Sequence, residues 1–338
     1  MIETTRLMLR EYLLDDLDAV HSYGSSVENT MYMQFGPNSI EESQAYLDKA
    51  INEARNGFVD SYRLAIELKK TNKVIGGCDI HVYENEAEIG WVIHRDYWKQ
   101  GYGTEMGAAL LRFAFVDLDL HRIIARCDTL NVGSYRLMEK IGMRREALLI
   151  EGRPANKMSD KKYGDEYRYA IIKDEWEAHR DIEYYNTQPF EFNDFMELPD
   201  LSDDVVHLVC VEKKTGVPDK KLVPSYNFAI CISSEKVGEI NLRIGYSDRL
   251  YYGGNIGYCV LEKYRAKGYA TRACKLLVPV AKWHGMEKLL ITCDHENAPS
   301  RRVCEKLGAS LIRCARLPEW HDIYKEGGRF EYIHEWAI

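Results

Sequence analysis

The feature that most constrains this chain is that part of it occurs twice. The segment WKQGYGTEM, Trp98 to Met106, returns 167 residues later as RAKGYATRA, Arg265 to Ala273. Gly101, Tyr102, Gly103 and Thr104 align with Gly268, Tyr269, Ala270 and Thr271, and the match continues downstream. An apolar helical run (Met106, Leu110, Leu111, Phe113, Ala114) leads to RIIARCD and NVGSYRLMEKIGM; LLVPVAKW leads to KLLITCD and NAPSRRVCEKLGA. Gly101 to Asn131 spans 30 residues and Gly268 to Asn297 spans 29, while Asn131 to Gly142 and Asn297 to Gly308 both span 11. Matching short segments at matching distances predict one domain design used twice.

With 338 residues the chain is long enough for two such domains. YAIIKDEW, Tyr169 to Trp176, reads as a final strand followed by a short helical start. The following stretch, Glu177 to Asp194, has no sustained period and contains a proline. The expected division is therefore 1–177, a linker at 178–194, and a second domain at 195–338 that is shorter before its glycine turn. In the first domain SIEESQAYLDKAINEARN reads as a helix with Ser39 and Glu42 as a capping box. The second domain shows no equivalent helical stretch there. No apolar run approaches a bilayer's thickness and MIETTRLMLR lacks the order of a secretory signal, so a cytoplasmic protein without a membrane partner is expected. Nine cysteines with no Cys-x-x-Cys pair predict reduced thiols and no metal site. CDHEN, Cys293 to Asn297, points its side chains in different directions along a strand end and is set aside as a ligand cluster. A formal charge of −8 disfavours nucleic acid and suits a cationic acceptor.

Each glycine turn follows a strand pattern (AEIGWVIH in the first copy) and opens a helix. Small residues at such a place let backbone N–H groups approach a ligand, and the helix N-terminus adds partial positive charge, which suits a phosphate or diphosphate. Met106 stands where a dinucleotide fingerprint needs glycine, and no Gly-Lys-Ser/Thr follows, so neither common nucleotide motif fits.

The pattern Gly-x-Gly/Ala after a strand, then Asn-x-x-Ser-x-x-x-x-Glu-Lys-x-Gly, resembles motifs A and B of the GNAT superfamily of acyl-CoA-dependent N-acyltransferases, in both copies. Through TTRLMLR, YWKQGYGTE, LHRI and GDEYRYAIIKDEW the first copy resembles the Rim-type branch, which acetylates protein N-termini and small amines. Through VPSYNFAI, INLRIGY, GGNIGY and YRAKGYATRAC the second resembles a group of predicted acetyltransferases. The arginine or glutamine that usually opens motif A is Arg265 in the second copy and Trp98 in the first. The resemblance implies an α/β (α+β) chain of two tandem GNAT folds, each a mixed, mostly antiparallel sheet with flanking helices. In each, two central parallel strands splay apart around acetyl-CoA: AEIGWVI and RIIARCD, then YCVL and KLLITC. Carried over by motif, main-chain groups of Val92 and Ile93 would contact pantetheine and thioester. The turn Gln100, Gly101, Tyr102, Gly103, Thr104 would hold the diphosphate, and Asn131 the pantetheine arm. The corresponding positions are Cys259 and Val260, then Lys267, Gly268, Tyr269, Ala270 and Thr271, and Asn297.

Direct attack of a neutral amine on a thioester needs a proton acceptor, a polarised carbonyl and a donor to the departing thiolate. Glu88 lies where many GNAT enzymes keep a basic glutamate; the alternative is a solvated carboxylate in the acidic stretch ENEAE. The tyrosine acid of many relatives is Met138 here and Cys304 in the second copy, while Ser134 and Ser300 match a serine thought to face the CoA sulfur. Both serines also suit a helix N-cap. The second copy has Asn255 in place of Glu88, and Pro279 interrupts the helix after its turn. Tyr246, Tyr251 and Tyr252 read as packing. The expected function is acetyl transfer to a primary amine, mainly in the first copy. A CoA-binding sensor or scaffold, or a donor such as succinyl-CoA, is the alternative. The acceptor (protein N-terminus, amino acid, polyamine or amine-bearing antibiotic) and the oligomeric state stay open.

Overall fold

A computed structural model describes residues 1–57, 60–217 and 222–338. The chain divides into two compact units, Met1–Trp176 and Glu177–Ile338. In the first unit the strands are β1 (Ile2–Glu3), β2 (Leu7–Arg10), β3 (Ser61–Leu68), β4 (Lys73–Tyr83), β5 (Glu86–Ile93), β6 (Arg122–Asp128), β7 (Arg144–Pro154) and β8 (Tyr163–Ile172). They form one sheet in the order β1-β2-β3-β4-β5-β6-β8-β7, antiparallel except where β5 meets β6. Helices α1 (Leu17–Gly24), α2 (Val27–Thr30) and α3 (Ile40–Arg55) lie between β2 and β3; α4 (Tyr102–Arg112) and α5 (Val132–Lys140) follow β5 and β6. α3 begins with the expected capping box: Ser39 Oγ accepts the Glu42 N–H at 3.2 Å, and Glu42 Oε2 accepts the Ser39 N–H at 3.0 Å.

Alternation along the strands divides the core into two clusters. Ala87, Ile89 and Ile93 of β5 and Ile123, Ala125 and Cys127 of β6 join Met106, Leu110 and Met138 of α4 and α5. Leu47, Ala50 and Ile51 of α3 form a second cluster with Tyr12, Val20, Tyr23 and Ala65, against which Val92 packs. Helices therefore cover both sheet faces.

The second unit begins inside α6 (Lys173–Asn186), where an irregular linker was expected. Ala178 and Tyr185 of this helix are buried in the second unit's core, with Ile182 packed beside them. Their seven-residue spacing is helical, but it was masked by the charged and tyrosine-rich residues around it. The unit's strands are β9 (His207–Lys214), β10 (Ser225–Ile232), β11 (Glu235–Arg243), β12 (Ile256–Val260), β13 (Lys288–Asp294), β14 (Ser310–Arg316) and β15 (Phe330–Ala337). The sheet order β14-β15-β13-β12-β11-β10-β9 reproduces that of the first unit from β7 back to β2. β12 and β13 are parallel, and their neighbours antiparallel. β9 leads to β10 with no helix among the described residues. Instead α7 (Asp248–Gly253) stands between β11 and β12. The run after the second glycine turn is broken into α8 (Tyr269–Leu276) and α9 (Val278–Trp283), as Pro279 predicts. α10 (Ala298–Leu307) and α11 (Asp322–Lys325) complete the unit. Among the described residues, no helix is long and apolar enough to cross a membrane.

In both units the parallel strands soon part. β5 pairs with β6 only at Glu86, Ala87 and Glu88, and β12 with β13 only at Ile256. Both strands run on, held from the other side by β4 and β11. A glycine faces the free end of each: Gly76 opposite Ile93 and Gly238 opposite Val260. A Cβ on Gly76 would collide with the Val92 carbonyl oxygen, and one on Gly238 with that of Cys259. Backbone atoms cannot step aside as side chains do. Gly76→Ala and Gly238→Ala are each expected to destabilise the protein by about 1–3 kcal/mol, read as a lower midpoint in urea denaturation of the full chain.

Candidate functional site

The gap left by the parting strands is lined by main chain. In the antiparallel pair of β4 and β5, the His94 N–H donates to Ile75 O at 2.8 Å, which fixes the alternation. Val92 then turns its N–H and C=O toward β4, whereas Trp91 and Ile93 turn theirs toward the gap. The same holds around the Leu261 N–H to Val237 O bond of 2.9 Å: Cys259 faces β11, and Tyr258 and Val260 face the gap. Main chain therefore faces the gap at Trp91, Ile93, Tyr258 and Val260, and not at Val92 and Cys259, where main-chain contacts were expected.

The carbonyl of Ile93 is already occupied. It accepts from Asn29 Nδ2 at 2.7 Å and from Trp98 Nε1 at 2.6 Å, which leaves its N–H as the group that faces the gap. The Val260 carbonyl accepts from Arg265 Nε at 3.1 Å. Trp98 and Arg265 are equivalent positions, so indole and guanidinium make one bond to one carbonyl.

The glycine turns have nearly identical backbones. Gly101 caps α4 with φ 83° and ψ −2°, and Gly268 caps α8 with φ 81° and ψ 6°. Two residues earlier, Lys99 (φ 58°) and Ala266 (φ 63°) also enter the left-handed region. Such reversals turn successive N–H groups to one side, and the first N–H groups of a helix have no partner within it. Among the described residues, Gly268 meets nothing within contact distance and Gly101 only the Arg6 guanidinium, so both leave room for an anion against the backbone. Gly103 has a different reason to be small: its Cβ would stand 2.6 Å from Leu137 Cδ1, where α4 packs on α5. Ligand approach had been expected there. Behind the turn, Asn131 caps α5, its Oδ1 accepting the Ser134 N–H at 3.1 Å, and Asn297 does the same for Ser300 at 3.1 Å. The caps are the asparagines and not the serines. Burial pushes the Cys127 thiol up to about 12, and the Ser134 hydroxyl works against that rise. The Ser300 hydroxyl meets the Tyr258 hydroxyl at 2.7 Å.

On the opposite sheet face of the first unit stands Glu88, the last residue of β5 to pair with β6. Arg126 of β6 holds both its carboxylate oxygens, at 2.8 and 2.6 Å, and Glu88 keeps 20% of its side chain exposed. His81 is its cross-strand partner, and Asp79 lies 3.6 Å from His81 in room left by Gly90. Burial pushes the Asp79 carboxyl up, His81 and Arg63 oppose this, and Glu88 adds to it. Arg126 also stands 4.0 Å from Glu166 of β8, which is 2% exposed and has one oxygen without a hydrogen-bond partner among the described residues. Burial raises Glu166, against Arg126, Arg153 and Arg168. Glu331 of β15 occupies the same place in the second unit, opposite Asp294 as Glu166 is opposite Asp128. It too is buried with an unpartnered oxygen, and burial pushes it to about 8. Asp79, His81 and this pair escaped sequence reasoning; the shared Glu-Tyr of DEYRY and FEYIH was the available signal for the pair.

The second unit closes this face. Asn255, in the position of Glu88, is fully buried; its Nδ2 donates to Arg243 O at 3.1 Å and Gly245 O at 2.8 Å, and its Oδ1 accepts the Leu290 N–H at 2.8 Å. Tyr251 and Tyr252 of α7 are buried beside it, Tyr251 donating to Asp181 of α6 at 2.8 Å. Tyr246, also buried, stacks with Tyr185, and the three tyrosines pack as expected. Among the described residues, no group of three or more His, Cys, Asp or Glu is placed to hold a metal ion.

The model described as "Acetyltransferase (GNAT) domain" matches this chain twice, at residues 6–144 and 181–310. The uncharacterized N-acetyltransferase YnaD of Bacillus subtilis (strain 168) is 36% identical over 177 residues, 52% of this chain and 98% of YnaD. The uncharacterized N-acetyltransferase p20 of Bacillus licheniformis is 30% identical over 177 residues, 51% of this chain and 96% of p20. The solved structure of an acetyltransferase (GNAT family) from Bacillus anthracis shares 34% identity, covering 51% of this chain and 97% of its own, with a TM-score of 0.46.

The two equivalent positions differ in what they hold together. Asn255→Ala leaves two buried carbonyls and a buried N–H without partners. At about 1–3 kcal/mol for an orphaned group, a total loss of at least about 3 kcal/mol is expected. Glu88→Gln breaks a partly exposed ion pair and is expected to cost no more than about 1 kcal/mol. Chemical denaturation of both variants checks the contrast.

Proposed function

Because this chain belongs to the GNAT acetyltransferase family, with the family's domain present twice, we propose that its first unit transfers an acetyl group from acetyl-CoA to a primary amine. The observation that carries this reading is the position of Glu88 at the vertex of the parted strands, with gap-facing main chain beyond it and a glycine turn at the start of the next helix. Acetyl-CoA would supply an activated acyl group as a thioester.

In this reading Gln100 to Thr104 and the α4 N-terminus hold the diphosphate, and Asn131 Nδ2 the pantetheine arm. The Trp91 and Ile93 N–H groups lie along the route to the thioester, where a donor aimed at the carbonyl oxygen stabilises developing negative charge. Glu88 takes a proton from the incoming ammonium, directly or through water. Arg126 fixes its orientation, and each carboxylate oxygen keeps a second lone pair for that proton. Ser134 sits on the coenzyme side and donates to the departing thiolate. We place residues 1–176 in the catalytic domain and give the second unit a different part. Tyr258, Val260, Lys267 to Thr271, Asn297 and Ser300 keep its coenzyme side, but Asn255 is a structural pin and α7 fills the acceptor side. Coenzyme binding without turnover suits it best.

Glu88→Gln is expected to lower kcat by about 10²–10⁴-fold, measured as free-CoA release with a panel of primary amines and with acetyl- or succinyl-CoA, while calorimetric affinity for CoA stays within twofold. Release persisting above a tenth of the original rate would assign turnover to the second unit as well. No release from the unaltered protein with any amine and donor would leave a coenzyme sensor and sink the enzymatic reading.

A further inference from the structure

We propose that Arg6, in the arm that precedes β2, is a coenzyme-binding residue of the first unit, placing its guanidinium on the diphosphate held by the Gly101 turn. The proposal rests on the reading above, that this turn holds CoA, and goes beyond the motifs that mark it. Arg6 lies 95 residues before Gly101 in the chain and is brought to it by four contacts. Its backbone N–H donates to Glu105 Oε1 at 2.7 Å and its Nε to Glu105 Oε2 at 2.6 Å. Thr4 Oγ1 secures the same carboxylate at 2.6 Å. Arg6 Nη1 donates to the Gln100 carbonyl at 2.9 Å, and the guanidinium carbon lies 4.4 Å from the centre of the Tyr102 ring. Although burial works to raise the Glu105 carboxyl, the hydrogen bonds from Thr4 and Arg6 hold it below its ordinary range, so the clamp stays charged.

These contacts use Nε and Nη1 and leave Nη2 over the turn, 3.2 Å from where a Cβ on Gly101 would stand. The side chain is 43% exposed. A guanidinium with two edges fixed and a third open toward a helix N-terminus is preorganised for an oxyanion, and its planar donors suit phosphate oxygens.

The second unit reverses the device. Arg272 occupies the position of Glu105, four residues after the turn glycine, and the segment before β9 offers it acids. Arg272 Nη1 donates to Asp203 Oδ2 at 2.9 Å and to Asp204 Oδ1 at 2.7 Å. The fastening is kept and its polarity exchanged: the arm brings a cation to the first turn and carboxylates to the second. A clamp whose only role was to hold the arm down would work with either polarity, but only in the first unit does the arm itself carry positive charge to the turn.

The test uses the full chain with Arg6→Gln and Arg6→Lys. Calorimetric titration with CoA is expected to show the first-unit site weakened about tenfold in Arg6→Gln and partly restored in Arg6→Lys, with the loss shrinking at high salt. Acetyl-pantetheine, which carries no diphosphate, is expected to be used with unchanged kcat/KM by all three proteins. Equal CoA affinity in the unaltered protein and Arg6→Gln would overturn the role of Arg6 and leave the acetyl-transfer reading standing. Equal losses with CoA and acetyl-pantetheine would also overturn it, by showing that Arg6 only shapes the turn. An unaltered protein that takes up no CoA would overturn both.

Discussion

Two parallel strands that part after no more than three paired residues set the terms for everything else in each unit. A strand that leaves its neighbour exposes N–H and C=O groups, and such groups are costly unless something satisfies them. The fold meets part of that cost itself. Ile93 O takes two side-chain donors and Val260 O takes one. Gly76 and Gly238 let the antiparallel neighbour lie close enough to carry the departing strand alone. What remains facing the gap is a short ladder of main-chain groups beside a helix N-terminus, where an elongated ligand with a polar backbone and an anionic end can lie. The site is a consequence of the parting more than of any one side chain.

The units agree on one sheet face and disagree on the other. On the face of α4, α5, α8 and α10 the correspondence is close: the same turn dihedrals, the same asparagine caps, a serine in the same place. On the opposite face the first unit inserts α1 to α3 between β2 and β3, and leaves Glu88, His81, Asp79 and Arg126 as a polar group partly open to solvent. The second unit makes the β9 to β10 connection short and puts α7, with two buried tyrosines, beside Asn255. The fully satisfied amide of Asn255 belongs to a packed interior. The shared face suits a shared ligand, and the divergent face is where the units would differ in what, if anything, they accept.

Legibility followed the range of the interactions. The repeat, the capping box of α3 and the break at Pro279 rest on local pattern, and pattern is what a sequence displays; the splayed strands were implied only by the family resemblance those motifs carry. The choice between Val92 and Trp91 depends on which edge of β5 faces β4, and that is fixed by the bond from His94 to Ile75, a pairing no single segment contains. The smallness of Gly103 looked like ligand approach because the turn is beside it; its cause is Leu137 on another helix. Trp98 looked like a departure from Arg265 until both proved to hold a carbonyl. Asp79 and His81 lie on β4, outside the repeated motifs, and gain their interest only from Glu88 across the strand.

Charge near the turns ties these threads together. The first turn carries Lys99, with uncharged Trp98 and Gln100, where the second carries Arg265 and Lys267. If the turns alone supplied positive charge, the first would face a diphosphate with one cation fewer. Arg6 makes up that difference from outside the motif, while the second unit, already provided for, can accept carboxylates on its arm. Because Coulomb attraction depends on where charge stands and not on which segment bears it, two turns with unlike sequences can present comparable fields to the same anion. Substitutions that look like losses within a motif are therefore best judged against every residue the fold brings to it.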